Sequence, residues 1–207
     1  MSQTKAQLIS DLVQALNFTG TASAPANGVF LSATNTLAFA TNSGSRVTID
    51  SNGKATFSVD GVFNSVNIGK GANSVSGNTV LGENALNASV SGGNNTAIGK
   101  QSLLSHTSGT NCTALGSLTL AFNTTGSHNT AVGLGALNVN TTASSNTAVG
   151  RSSMASNTTG TNNVAVGAQS LNANTTASNN TAIGTSALTA NTTGTRNVAV
   201  GANTLDA

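Results

Sequence analysis

The sequence predicts an all-β fold: a β-solenoid, or β-roll, of 17-residue repeats that follows a short helix and a small β-hairpin segment. The first observation is a phrase, Asn-Thr-Ala-Val-Gly or a close variant, whose last glycine returns every 17 residues without insertion or deletion. These glycines, which define position 0 of each repeat, are Gly82, Gly99, Gly116, Gly133, Gly150, Gly167, Gly184 and Gly201. The second observation is that position −1 is aliphatic in every repeat and position +4 is leucine in all but one. A fixed period this short is typical of coils that stack one on another.

The composition excludes several classes of protein. Only 6% of the 207 residues are charged, against about 25% in an average soluble domain. Ser, Thr, Asn, Gly and Ala dominate as in disordered linkers, but linkers lack aliphatic residues at fixed positions. The net charge is +2 and the basic residues are isolated, which argues against a nucleic-acid surface. No signal peptide is visible and no apolar run reaches the roughly 20 residues of a membrane span, so we expect no membrane insertion.

Residues 1–18 are expected to form a helix that attaches the chain to something else. The apolar stripe at helical spacing consists of Leu8, Ile9, Leu12, Val13 and Leu16. A helix this short is marginal by itself, so the stripe must dock. Anchoring in a larger assembly, association with partner chains as a short coiled coil and packing on the chain's own next segment remain open.

Residues 19–65 are predicted to be a small β-hairpin module. The β-prone runs are 28–33, 36–41, 46–50 and 54–59. Short turns rich in Asn, Ser and Gly separate them, and Asn52-Gly53 is a strong hairpin signal because a type I′ turn needs positive φ at both central residues. Five of the six Phe lie in or beside this module, so the aromatic core is expected here.

Residues 66–207 are predicted to be the repeat array. Positions −3 to −1 are expected to form a strand, in which −3 and −1 point to one side and −2 to the other. Because position −1 is always aliphatic, we expect −3 and −1 to fill the coil interior together with the +4 leucine. The alanines at −2 would then form a second, close-packed surface, which is the candidate contact between chains of an oligomer. Rows of Asn and Thr are expected at the turns, where they hydrogen-bond to the next coil.

No residue pattern indicates catalysis, a cofactor or a metal site, so the chain is predicted not to be an enzyme. His106 and His128 stand at different positions of their repeats, and we expect both at surface turns. The five carboxylates are scattered, whereas calcium-binding rolls place Asp in every coil. Cys112 is the single cysteine, which excludes an intramolecular disulfide, and it stands where the other repeats have Asn.

The repeat phrase from Asn78–Gly82 onward resembles the left-handed β-roll heads of trimeric autotransporter adhesins, whose coils have a similar Asn-Ser-Val-Ala-Ile-Gly phrase. The repeat here is longer than is usual in that family, and its secretion signal and C-terminal membrane anchor are not seen. The full form, Asn-Thr-Ala-Val-Gly-x-x-Ala-Leu-x-x-Asn-Thr-Thr-Gly, is more similar to repeats in tail-fibre-like proteins of marine bacteriophages, notably cyanophages. Residues 28–42 and 46–53 look like linker modules of phage fibres.

These resemblances imply a homotrimeric structural protein of a virion, a tail fibre or related appendage, whose N-terminal helix contacts other tail or capsid proteins. A host-surface glycan is a further expected partner, with Phe122 as a candidate contact or, alternatively, a local cap. Solenoids usually close with a polar cap, but the eighth phrase is a regular copy, so we also expect another protein to stack on the last repeat; the alternative is that trimer closure and residues 202–207 cover its edge. A bacterial adhesin fragment and an ice-binding solenoid are the alternatives. Adjacent Thr at positions +8 and +9 suit ice poorly, because neighbouring residues of a strand point to opposite faces.

Overall fold

A computed structural model describes residues 27–33, 36–41, 44–49, 55–57, 61–88 and 90–206. The chain divides into two compact units, residues 1–59 and 60–207. The described residues are all-β apart from a single 3-10 turn at Ala72–Ser74. The helix predicted within residues 1–18 lies outside the described residues.

In the first unit, four short strands form an antiparallel sheet in chain order. They are β1 (Asn27–Ala33), β2 (Thr36–Thr41), β3 (Gly44–Ile49) and β4 (Ala55–Phe57). The four β-prone runs are therefore confirmed as strands, with ends that agree to within two residues.

In the second unit, ten strands form one sheet in chain order. They are β5 (Gly61–Phe63), β6 (Val66–Gly69), β7 (Thr79–Gly82), β8 (Thr96–Ile98), β9 (Thr113–Leu115), β10 (Thr130–Val132), β11 (Thr147–Val149), β12 (Val164–Val166), β13 (Thr181–Ile183) and β14 (Val198–Val200). β5, β6 and β7 pair antiparallel, while β7 to β14 pair parallel. Each residue of a parallel strand lies opposite the residue 17 positions on, as Ala131 lies opposite Ala148. The 17-residue β-solenoid is thus confirmed, with one strand in each coil.

The glycine at position 0 is required by the close approach of successive coils. Gly99 has a φ of 124°, which side-chain-bearing residues rarely adopt. A Cβ atom at Gly99 would also lie 2.5 Å from the carbonyl oxygen of Gly116 in the next coil. The same arrangement recurs up the stack, which explains why every repeat has glycine at this position.

The coil interior is lined by the +4 leucines and by the alanines at −2. The buried +4 residues are Leu86, Leu103, Leu120, Leu137, Met154, Leu171 and Leu188. The buried −2 residues are Val80, Ala97, Ala114, Ala131, Ala148, Ala165, Ala182 and Ala199. The prediction for +4 is confirmed, but the predicted orientation of the strand was wrong: the alanines point inward, so −3 and −1 point outward. The +4 leucine already fills much of the coil interior. The strand therefore contributes its smaller residue, the alanine at −2, to that interior.

Packing overrides local backbone preference at the +4 residues. Leu137, for example, has a φ of 49°, a left-handed conformation that costs on the order of 1–3 kcal/mol for an ordinary residue. Full burial of a leucine side chain stabilises by about 1.5–3 kcal/mol, which offsets that cost.

A first ladder of buried side-chain amides runs through position −4. Its members are Asn78, Asn95, Asn129, Asn146, Asn163, Asn180 and Asn197, with Cys112 between the second and third. In Asn146 the Nδ2 donates to the carbonyl of Gly160, 2.8 Å away, and the Oδ1 accepts from the backbone N–H of Asn163 in the next coil, 3.0 Å away. Similar pairs of bonds recur along the ladder. Each Asn therefore closes its own coil and holds the following one.

A second ladder runs through position +7, with His106 followed by Asn123, Asn140, Asn157, Asn174 and Asn191. Each amide donates to the preceding member, as Asn157 Nδ2 does to Asn140 Oδ1 at 2.9 Å. The same Nδ2 also donates to the carbonyl at position +10 of its own coil, which is Gly160 at 3.0 Å. The two ladders thus meet on one inward-pointing carbonyl, and no buried side-chain polar atom in the described part of the chain lacks a partner.

We expect Asn157→Ala to destabilise the array far more than the loss of an exposed amide. The substitution leaves Asn140 Oδ1 without its donor and removes the acceptor of Asn174 Nδ2. Unsatisfied buried groups cost about 1–3 kcal/mol each, so the free energy of unfolding should fall by about 2–5 kcal/mol. Denaturant unfolding measures the difference, with Asn87→Ala as the control because Asn87 is exposed. Equal losses in the two variants would contradict a structural role for the ladder.

Candidate functional site

The strands of the repeat array present an aliphatic outer face, which we define as positions −3 and −1 of β7 to β14. The −1 row consists of Leu81, Ile98, Leu115, Val132, Val149, Val166, Ile183 and Val200. Its members are exposed or half-buried, and Leu81 is 43% exposed. The alternation of a strand explains the arrangement, since alanine at −2 is turned inward between them.

The composition of the outer face is unusual for a surface exposed to water. Position −3 holds Thr in six coils and Val in the other two, Val164 and Val198, and neither row contains a charged residue. Parallel in-register pairing places like side chains directly over one another, so the −1 residues form a continuous aliphatic row. Monomeric proteins seldom expose large contiguous apolar surfaces, and such surfaces mark sites of interaction.

The row is extended at one end and open at the other. Ile68 in β6 pairs with Leu81 across the antiparallel junction and is likewise 43% exposed. At the other edge of the sheet lies β14, whose Val198 and Val200 are 69% and 66% exposed. The most exposed aliphatic residues of the outer face are thus those of the edge strand.

A different surface carries rows of hydroxyl groups. At position +8 the threonines turn their hydroxyls along the stack, as Thr124 Oγ1 donates to the carbonyl of Thr141 at 3.1 Å. At position +9 the side chains are exposed, and at +11 a half-buried Ser or Thr follows in the coils from Thr110 to Ser178. Position +10 between them is buried, so +9 and +11 both face outward. The sequence predicted that the adjacent threonines at +8 and +9 point to different sides, and the structure agrees: they do not form one outward surface.

Phe122 lies on the surface in the middle of the array. It is 50% exposed, and its backbone N–H donates to the carbonyl of Asn138 in the next coil. Its two predicted roles, a surface contact and a local cap, stay predictions.

His106 and Cys112 are both buried, each in place of an asparagine. The prediction that His106 is a surface residue was wrong, whereas His128 is exposed as expected. Cys112 takes the place of Asn in the first ladder, and its Sγ donates to the carbonyl of Gly126 at 3.3 Å. Burial raises the pKa of the Cys112 thiol, which keeps it protonated as that donor. The signal for His106 was present in the sequence, because position +7 is Asn in the following five repeats.

The described residues contain no group of three or more His, Cys, Asp and Glu side chains close enough to bind a metal ion. Glu83 and Lys100 form an exposed ion pair with an N–O distance of 3.1 Å.

The part of the chain that the structure describes includes no helix of the length and apolar character needed to span a membrane. The predicted attachment residues Leu8, Ile9, Leu12, Val13 and Leu16 lie outside the described residues.

No protein-family model, curated protein or solved structure matches this chain. The resemblances drawn from the repeat phrase therefore stay predictions, and the outer face is the strongest candidate for a functional surface.

Proposed function

We propose that this chain is a structural protein of a virion, a subunit of a tail fibre or related appendage, and not an enzyme. The observation that supports this proposal best is the outer face, whose aliphatic −1 row runs along a regular stack of coils. Neither row of this face contains a charged residue. Its repeat phrase is also similar to repeats in tail-fibre-like proteins of marine bacteriophages.

The partner that we propose for the outer face is the same face of two further copies, in a homotrimer. Burying the remaining exposed part of each −1 side chain is worth about 1 kcal/mol, and eight such residues per chain make a substantial total. The face carries no charges to repel an identical copy. The alanines at −2, which the sequence analysis assigned to this contact, are already buried inside each coil.

We expect Val149→Asp to dissociate the trimer without unfolding the coil, because it places a carboxylate on the outer face. Ala148→Asp should instead unfold the array, since it buries a carboxylate in the coil interior. Thr142→Asp, on the exposed +9 row, should leave the trimer intact. Sedimentation and circular dichroism separate the outcomes. A monomeric unmodified protein, or a trimeric Val149→Asp variant, would refute the interface.

The other proposed contacts lie at the ends and on the surface. Residues 1–18 attach the subunit to other tail or capsid proteins through the stripe described above. The exposed edge strand β14 accepts another protein, which stacks on the last repeat. Phe122 contacts a host-surface glycan, by stacking its exposed ring on a sugar.

Deleting residues 1–17 tests the virion assignment directly. The shortened chain should keep its oligomeric state and thermal stability but should no longer be found in purified particles. Detection of the chain by antibody in particles made with either form provides the measurement. Normal incorporation of the shortened form would count against attachment through this segment, and absence of the full chain from particles would count against a virion protein.

The hydroxyl rows favour ice binding as a second candidate. Outward residues two positions apart, such as Thr159 and Thr161, repeat with the spacing of the coils. Thermal hysteresis of the purified protein decides this point: a measurable value that Thr159→Leu lowers would support ice binding, and no hysteresis at millimolar protein would exclude it.

A further inference from the structure

His106 ends the second ladder and is held in one protonation state by its partners. Its imidazole is completely buried, with Nε2 at 2.8 Å from the carbonyl oxygen of Gly109 and Nδ1 at 2.9 Å from Asn123 Nδ2. A carbonyl oxygen only accepts, so Nε2 carries the hydrogen. The amide nitrogen of Asn123 only donates, so Nδ1 is the acceptor. Both bonds are therefore made at once only by the neutral ring in this tautomer.

Asn123 cannot turn over to suit a protonated ring, because the rest of the ladder fixes its direction. Its Oδ1 accepts from Asn140 Nδ2 at 2.7 Å, and its Nδ2 also donates to the carbonyl of Gly126 at 2.9 Å. A flipped amide would face Asn140 with a second donor and Gly126 with a second acceptor. The same direction is repeated by Asn157, Asn174 and Asn191, so relief at one member would require every later member to flip.

We propose that His106 is an acid-sensitive release point in the repeat array: protonation of its imidazole breaks the bond to Asn123 and loosens the Gly99 coil from the Gly116 coil. The imidazolium would turn an N–H of Nδ1 toward the amide N–H groups of Asn123, which leaves two buried donors facing each other. The coils beyond, held by asparagines, contain no such group.

The surroundings of the ring offer a positive charge little compensation. Within the described residues, its polar contacts are the carbonyl of Gly109 and the side-chain amide and backbone of Asn123, and none of them is charged. The Cys112 thiol is buried, and burial raises its pKa and keeps it protonated; it shares the Gly126 carbonyl with Asn123. The other titratable residues of these coils and of the preceding strands are surface groups, namely Lys70, Glu83, Lys100 and His128.

Burial lowers the pKa of His106 from its ordinary value of 6.5, and this effect outweighs the hydrogen bonds to the backbone of Gly109 and of Asn123, which raise it. In the unfolded chain the imidazole therefore takes up a proton at a higher pH than in the folded protein. The stability that depends on the neutral ring is complete above pH 6.5 and is lost as the pH falls below that value. The array should accordingly open in mild acid at this coil first.

Two matched variants test the proposal, because each histidine stands where most other repeats have asparagine. His106→Asn restores the second ladder, while His128→Asn changes an exposed residue. Thermal unfolding of the full chain is measured at pH 8 and pH 5. We expect the unmodified protein and His128→Asn to lose about 2–8 °C more than His106→Asn on acidification. Equal losses in all three would overturn the proposal.

Two measurements on the unmodified protein keep the test decisive if His106→Asn does not fold. An NMR titration follows both imidazoles, and a His106 that titrates at or above pH 6.5 in the folded state overturns the proposal. Hydrogen exchange corrected for pH compares the amides of Leu103 and Ser105, which bond to the Gly116 coil, with that of Met154 higher in the stack. Acid should speed exchange at the first two alone, and a uniform change would exclude a local release point.

Discussion

The structure of the array depends on one backbone group, the carbonyl at position +10, which points into the coil and away from every strand. A carbonyl buried without a donor would cost on the order of several kcal/mol in each coil. Two side-chain amides satisfy it, one from the first ladder and one from the second, as Asn146 and Asn157 do for Gly160. Because an asparagine side chain has a fixed length, the backbone at positions −4 and +7 must lie at a fixed distance from the carbonyl at +10 in every coil.

That requirement explains the rigid 17-residue spacing better than strand pairing does. Each strand contributes only three residues to its ladder with the next, a short stretch that would tolerate a slip. The asparagine ladders do not tolerate a slip in register, since Asn157 must bond to Asn140 on one side and to Asn174 on the other. An inserted residue in one coil would therefore break bonds in two neighbours, and position 0 adds the same demand through the contact of its glycines.

Exceptions within the ladders show what the positions need. Cys112 replaces an asparagine and keeps one of its bonds, through a weaker sulfur donor to Gly126. His106 keeps both bonds of its position but only as a neutral ring, which makes that coil the one in which structure and protonation are linked. The outer face arises from the same geometry: the interior is filled by the +4 leucines and, on the strand, by alanine in every coil except that of Val80, and the larger aliphatic side chains at −1 are turned outward.

The sequence by itself determined the period, the parallel in-register stack, the +4 leucine core, the hydrogen-bonding rows of Asn and Thr, and the four strands of the first unit. It also determined that positions −3 and −1 share a side opposite −2, because strand alternation is a local property. Which side faces inward was decided only by the tertiary structure, since it depends on the width of the closed coil and not on the hydrophobicity of Val149 relative to Ala148. The uniformity of alanine at −2 was the available signal of an enclosed position. The direction of the carbonyl at +10, to which His106 bonds, was likewise decided by the tertiary structure, although the asparagines at +7 of the following five repeats were a signal that position +7 is special.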